Sequence, residues 1–72
     1  MKTVAELQVG DKGIIDGFLD QEMSLKLLEM GCLPGSEVMM LMKAPFGDPI
    51  CIKVLDYHLA LRVSEAATIM IK

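Results

Sequence analysis

The chain has 72 residues, a formal net charge of −3 and a hydrophobic fraction of 53%. A chain of this length is expected to form a single domain over residues 1–72, with little stability to spare. Its seven Lys and Arg residues are scattered, which argues against a nucleic-acid partner and against an anionic membrane surface.

The first predicted element is a single helical turn near residues 3–7. Thr3 and Glu6 have the spacing of a capping box, in which each side chain satisfies a backbone amide at the start of a helix. A turn leads from there to a first strand over residues 13–19. Gly17 interrupts this strand and predicts a β-bulge, which is common at the corners of barrels.

One short amphipathic helix is predicted over residues 21–30. Asp20 precedes it as the N-cap, and a glycine follows it in the position that ends many helices. Met23, Leu27 and Met30 recur at helical spacing and form one apolar face. A helix of about ten residues is marginal alone, so we expect it to pack against the sheet.

Four further strands are predicted, over residues 37–44, 50–55, 59–63 and 68–71, with a helical turn near residues 64–67. Short strands without a long crossover helix are typical of a closed antiparallel barrel. Closure also removes the sheet edges that so apolar a chain could not safely expose. The predicted fold is therefore mainly β, a small five-stranded barrel with one inserted helix.

The predicted strand 37–44 is apolar on both faces. Its side chains alternate, with Val38, Met40 and Met42 on one face and Met39, Leu41 and Lys43 on the other. One face is enough to bury against a core, so either the helix or a partner must cover the second. This strand is the strongest indication of a binding surface in the sequence.

The location of the protein is predicted from what the sequence lacks. No apolar run approaches the ~20 residues that span a bilayer, and the first residues do not form a signal peptide. Cys32 and Cys51 are the two cysteines, and they do not form a CxxC motif. Without an export signal both thiols are expected to be reduced and buried. We therefore predict a cytoplasmic protein with no membrane-inserted segment.

The sequence contains no recognisable pattern for catalysis. It has one histidine and neither a P-loop nor a GxGxxG motif, so we expect neither an enzyme nor a cofactor site. Cys32, Cys51 and His58 are the soft metal ligands, and they are scattered, whereas metal sites bring three or four ligands together. The sequence therefore predicts no metal-binding residues.

Several segments, in order along nearly the whole chain, carry a family pattern. They lie at residues 7–10, 13–15, 27–35, 44–49 and 59–66, and the most specific combination is the Gly-x-x-Pro-Gly block at 31–35 followed by Pro-x-Gly-Asp-Pro at 45–49. Together they resemble FeoA, the small cytoplasmic protein of the bacterial ferrous iron uptake system. Lys26 departs from this pattern because the family usually has Arg there, and the turn before Leu59 lacks the usual glycine.

This resemblance implies an SH3-like barrel with an inserted helix. It also implies a non-catalytic accessory or regulatory role in Fe²⁺ uptake, through contact with the cytoplasmic GTP-binding domain of the FeoB-type transporter. Two other functions stay open. One is an apolar-peptide-binding or self-associating adaptor that is not dedicated to iron, including a homo-oligomer, and the other is a direct transition-metal binder.

The predicted partner site is a cleft between the helix and the strand 37–44. Its candidate contacts are Lys26, Leu27 and Met30 from the helix, Leu33 from the following loop, and Met39 and Leu41 from the strand. The alternative is that the apolar members belong to the core, which is the favoured interpretation of Leu27 and Leu33. Met39 and Leu41 are the better candidates, because their strand already has another apolar face to bury.

Overall fold

The computed structural model describes residues 2–72. The elements are β1 (Lys2–Thr3), a 3₁₀ turn (Val4–Glu6), β2 (Lys12–Phe18), α1 (Gln21–Glu29), β3 (Glu37–Lys43), β4 (Ile50–Val54), β5 (Tyr57–Leu61), α2 (Val63–Ala66) and β6 (Ile69–Ile71). The strands form one six-stranded sheet in the order β1-β6-β2-β3-β4-β5, and every pairing is antiparallel.

The mainly β fold with one short inserted helix is confirmed, but the predicted closure and strand count are wrong. The sheet has six strands, and within residues 2–72 its two edge strands, β1 and β5, do not pair with each other. The additional strand is β1, which is two residues long and therefore too short to show a period of its own. Its residues pair with β6, with Lys2 opposite Ile71.

The helical turn near residues 3–7 is present, but the predicted capping box does not form. Thr3 stands at the N-cap position with an extended backbone, and its side chain makes no cap hydrogen bond. Thr3 pairs instead with Met70 in the β1–β6 ladder. The turn ends where the Leu7 N–H donates to the Val4 carbonyl over 3.1 Å.

Helix α1 begins and ends at the predicted signals. Asp20 Oδ1 accepts hydrogen bonds from the N–H groups of Glu22, over 2.9 Å, and Met23, over 3.2 Å. Gly31 follows the helix with a φ of 101°, a left-handed conformation that costs glycine little. The predicted apolar face is confirmed, since Leu27 is fully buried and packs with its neighbours on that face.

Two glycines let β2 and β6 approach each other closely. The register shifts between Ile15 and Gly17, which confirms the predicted bulge. A Cβ on Gly13 would lie 3.0 Å from Ile71 Cδ1, so only a glycine fits under that side chain without displacement.

The core next to this contact is mostly aliphatic and consists of Val4, Leu7, Ile15, Leu27, Cys32, Val38, Met40, Ile50, Ile52, Val54, Leu61, Ala66, Ile69 and Ile71.

Strand β3 contains a second bulge that the sequence analysis missed. Met40 pairs with Ile52, but the next pair is Met42 with Cys51, so Leu41 is the extra residue. The alternation of side chains reverses at this point. Met42 is therefore 60% exposed rather than buried beside Met40, and its predicted place on the core face is wrong.

The turn between β4 and β5 is shorter than predicted and lies earlier in the chain. Val54 pairs with Tyr57, which leaves Leu55 and Asp56 as a two-residue loop. The predicted turn at residues 56–58 is therefore wrong, because Tyr57 and His58 already belong to β5. Leu55 has a φ of 55°, where leucine is strained.

Candidate partner-binding surfaces

The structure distributes the six predicted contacts over three places instead of one cleft. Helix α1 makes its principal sheet contacts with β2, not with β3. Leu27 and Met30 face the core, Lys26 and Leu33 lie on the surface around the helix, and Met39 and Leu41 lie on β3. These six residues therefore do not line the predicted cleft between the helix and the strand.

Leu27 belongs to the core, which agrees with the favoured interpretation of this residue and removes it from the candidate contacts, whereas the same interpretation is wrong for Leu33, which is 46% exposed. The Leu27 side chain is 0% exposed among the other buried residues, so a partner could reach it only by unfolding the helix from the sheet. Met30 is partly buried against the same core. The cause is the helical spacing itself, which turns both side chains inward together.

Lys26 is engaged in an ion pair that joins the two helices. Its Nζ lies 2.5 Å from Glu65 Oε2, and the Arg62 backbone N–H donates to Glu65 Oε1 over 2.8 Å. The hydrogen bond from Lys26 and then that from the Arg62 N–H lower the pKa of the Glu65 carboxyl, outweighing the opposite effect of burial. The Glu65 side chain is buried, whereas the Lys26 stem stays exposed and available to a partner.

The outward side of α1 carries an apolar surface that the sequence analysis missed. Leu25 is 67% exposed and Leu28 is 37% exposed, three residues apart on the side away from the core. Leu33, in the loop that follows, is also exposed. We call Leu25, Leu28 and Leu33 the helix patch. The signal was present in the sequence, because at about 100° per residue Leu25 lies about 160° and Leu28 about 100° around the helix from Leu27, both outside the buried stripe.

The outer face of the sheet forms a second surface, a groove of about 330 Å³. The side chains that line it are Lys12, Glu37, Met39, Lys53, Leu55 and Asp56, and we call it the sheet groove. Met39 lies between two cations, because its cross-strand partners are Lys12 on β2 and Lys53 on β4. Leu41 is half-buried at the bulge farther along the same strand.

The groups that could bind a metal ion or act in catalysis are dispersed. Across residues 2–72, no three His, Cys, Asp or Glu side chains converge as metal ligands. Burial raises the pKa of the Cys32 thiol, which disfavours the thiolate that a metal requires. In the part of the chain that the structure describes, no helix is both long and apolar enough to cross a membrane.

Comparison with known proteins identifies a family. The FeoA domain matches residues 2–72. The Fe(2+) transport protein A/Fe(2+) transporter FeoB fusion protein of Porphyromonas gingivalis is 31% identical over 70 residues. That alignment covers 96% of this chain but only 8% of the relative, so the chain corresponds to a small part of the fusion protein.

Solved structures show the same fold. The FeoA-like protein from Clostridium acetobutylicum has a TM-score of 0.90 at 32% identity, with 97% of this chain and 83% of that chain covered. FeoA from Stenotrophomonas maltophilia, described as a procaryotic SH3 domain protein and solved with zinc, has a TM-score of 0.87 at 28% identity. Its alignment covers 100% of this chain and 91% of that one. The sheet described above is therefore SH3-like.

Proposed function

Because the chain belongs to the FeoA family, which is associated with ferrous iron transport, we propose that it is a non-catalytic, cytoplasmic accessory protein of Fe²⁺ uptake. It acts by binding the cytoplasmic GTP-binding domain of a FeoB-type transporter, and it regulates the transporter through that contact. Its own residues carry out no reaction. They present a surface that the transporter recognises.

The fusion protein of Porphyromonas gingivalis is the observation that carries this proposal. Its name joins Fe(2+) transport protein A and the FeoB transporter in one chain, and this chain is similar to it over 96% of its own length. Joining two modules raises their effective concentration and favours a contact that separate chains must form by binding. A contact of this kind needs a surface on the domain that the transporter can recognise.

We assign that contact to the helix patch. Leu25, Leu28 and Leu33 are exposed apolar side chains that lie close together in sequence, on one helix and the loop after it. Burial of a leucine side chain contributes about 1.5–3 kcal/mol, so a partner that covers the patch gains a substantial part of a binding energy. The exposed stem of Lys26 extends the same surface.

The buried carboxylate of this domain supports a structural role rather than catalysis. Glu65 is 6% exposed, and each of its oxygens accepts a hydrogen bond, one from Lys26 and one from the Arg62 backbone. A general base at neutral pH needs a raised pKa, whereas these contacts lower the pKa of Glu65. The carboxylate therefore holds the two helices together.

Isothermal titration against the isolated GTP-binding domain of the cognate transporter tests both the partner and the surface. The native chain is expected to bind, and titrations with GDP and with a non-hydrolysable GTP analogue measure the dependence on nucleotide. Leu25→Glu should raise the dissociation constant at least about tenfold, because it places an unpaired charge in an apolar interface. Val9→Glu is the matched control, since Val9 is a 59% exposed apolar residue outside the patch.

The two parts of the proposal fail in different ways. Absence of binding by the native chain in both nucleotide states would refute the partner. If Leu25→Glu bound as the native chain does, the helix patch would be the wrong surface, although the partner could still be right. Met39→Glu in the same titration tests the predicted contacts on β3, Met39 and Leu41, against the helix patch.

A further inference from the structure

Phe46 is the most exposed large apolar side chain of the described residues, at 99%. It stands at the tip of the loop between β3 and β4, and backbone hydrogen bonds hold this loop in place. The Gly47 N–H donates to the Ala44 carbonyl over 2.7 Å, and the Ala44 N–H donates to the Pro49 carbonyl over 3.0 Å. An aromatic side chain on a fixed turn loses little conformational freedom when it binds, which is typical of an anchor residue.

Asp48 gives the same loop a negative charge and a second attachment. Its Oδ1 accepts a hydrogen bond from the Val63 N–H over 2.9 Å, which fastens the loop to the start of α2. The Asp48 residue is otherwise exposed, so its carboxylate remains accessible to a cation. The loop therefore presents an apolar ring and a carboxylate side by side.

The sheet groove has the complementary character. Met39 and Leu55 provide its apolar surface, and about 330 Å³ falls within the size range of pockets that enclose small groups. Lys12 lies 3.9 Å from Glu37 and is partly neutralised, whereas Lys53 forms no ion pair within residues 2–72. Lys53 is therefore the cation left to meet an incoming carboxylate, with Asp56 as the remaining charge on the rim.

The loop and the groove lie at opposite ends of the β3–β4 hairpin. Met39 pairs with Lys53 near one end, and Phe46 lies beyond Lys43 at the other. Four residues of strand at about 3.4 Å each separate Met39 from Lys43 by about 14 Å, before the loop is counted. Phe46 therefore cannot reach the groove of its own chain.

We propose that Phe46 of one protomer inserts into the sheet groove of a second copy of this chain. The ring packs on the Met39 sulfur and Leu55, and Asp48 pairs with Lys53. Two unlike surfaces can pair reciprocally in a two-fold dimer or repeat head to tail, and the arrangement proposed here is the head-to-tail one. It leaves the helix patch uncovered, and it does not depend on the proposed contact with the transporter.

Sedimentation equilibrium of purified protein tests the proposal. The native chain should associate with a dissociation constant between about 10 μM and 1 mM, as expected for one anchor residue. Phe46→Ser removes the anchor, and Met39→Glu or Leu55→Gly alters the groove, so each variant alone should weaken association at least about tenfold. Leu19→Ser is the matched control, because Leu19 is 54% exposed and lies outside the loop, the groove and the helix patch, and it should associate as the native chain does.

Growth of the native chain beyond a dimer as its concentration rises distinguishes this arrangement from a symmetric dimer, which stops at two protomers, and mixing the variants tests whether the two surfaces pair with each other. Phe46→Ser keeps an intact groove and Met39→Glu keeps an intact anchor, so an equimolar mixture should form a 1:1 dimer that grows no further. A native chain that stays monomeric over the whole range would overturn the proposal. So would unchanged association of Phe46→Ser, or a mixture of variants with native circular dichroism that forms no dimer.

Discussion

Leu55 adopts a backbone conformation that a leucine rarely takes. Its φ is 55°, and it is the first of the two residues between β4 and β5. Positive φ costs a residue with a Cβ about 1–2 kcal/mol, and hairpin turns of this length favour glycine there. The structure thus places the strain at the β4–β5 turn, where the sequence has Leu55 instead of a glycine.

Two substitutions that both remove the leucine side chain isolate this strain. Glycine normally lowers stability relative to alanine, because it adds freedom to the unfolded chain. At position 55 we expect the reverse, with Leu55→Gly unfolding at a free energy about 0.5–1 kcal/mol higher than Leu55→Ala. Urea denaturation of both variants measures the difference. If Leu55→Ala were the more stable, Leu55 would not be strained.

The ion pair between Lys26 and Glu65 is the contact that joins α1 to α2. The two residues are 39 positions apart in the chain, and the pair is supported by the Arg62 backbone N–H. Removing an acceptor of charge-assisted hydrogen bonds costs about 1–3 kcal/mol, so Glu65→Gln should lower the free energy of unfolding at neutral pH. This cost should depend on pH.

The direction of that dependence follows from the pKa. The pKa of Glu65 is lower in the folded chain than its ordinary value of 4.5, so the unfolded chain binds the proton more readily. The stabilisation is therefore complete above about 4.5 and is lost as the pH falls through the folded pKa. Urea denaturation over a pH series should show the native chain and Glu65→Gln converging in acid. A difference that stays constant with pH would contradict this, and Glu29→Gln, an exposed site on α1, is the control.

The elements themselves were largely predictable, because their ends carry local signals. Asp20 caps α1 through its own side chain, and Gly17, a residue type that often occurs at bulges, indicated the bulge in β2. The bulge at Leu41 has no such marker, since any apolar residue can occupy it, and the face of Met42 was therefore wrong. The contact between Lys26 and Glu65 was also invisible, because it depends on how distant elements pack.

At the scale of the whole molecule, α1 has one side in the core and the other in solvent, and substitutions on the two sides should differ in their effect on stability. Leu27→Ala should lower the free energy of unfolding by about 2–5 kcal/mol, because it opens a cavity in a fully packed site. Leu25→Ala, two positions earlier on the solvent side of α1, should change it by at most about 0.5 kcal/mol. Thermal or urea unfolding of both variants measures the two effects. Equal losses would mean that the helix is oriented differently from the structure described here.

The arrangement of the sheet and the candidate surfaces were less predictable than the strands. Alternation of side chains identifies a strand but does not say which neighbour it joins, so closure was inferred and is absent. The helical spacing of Leu27 with Met23 and Met30 correctly favoured the core for this candidate contact, whereas Leu33, in a loop without such spacing, was expected in the core and is exposed. Phe46 was overlooked as an anchor because a sequence cannot show that a loop holds its tip residue out in solvent.

The position of β6 has a consequence for how the protein is made. Residues 69–71 hydrogen-bond on both sides, to β1 and to β2, although they form the last strand along the chain. During synthesis β6, which lies between β1 and β2, is therefore made after the other strands of the sheet. Lys2 in β1 cannot pair until Ile71 in β6 has been added. Such long-range pairing slows folding. Deletion of residues 69–71 should therefore leave β1 without a partner in the sheet and unfold the domain, rather than only shorten it.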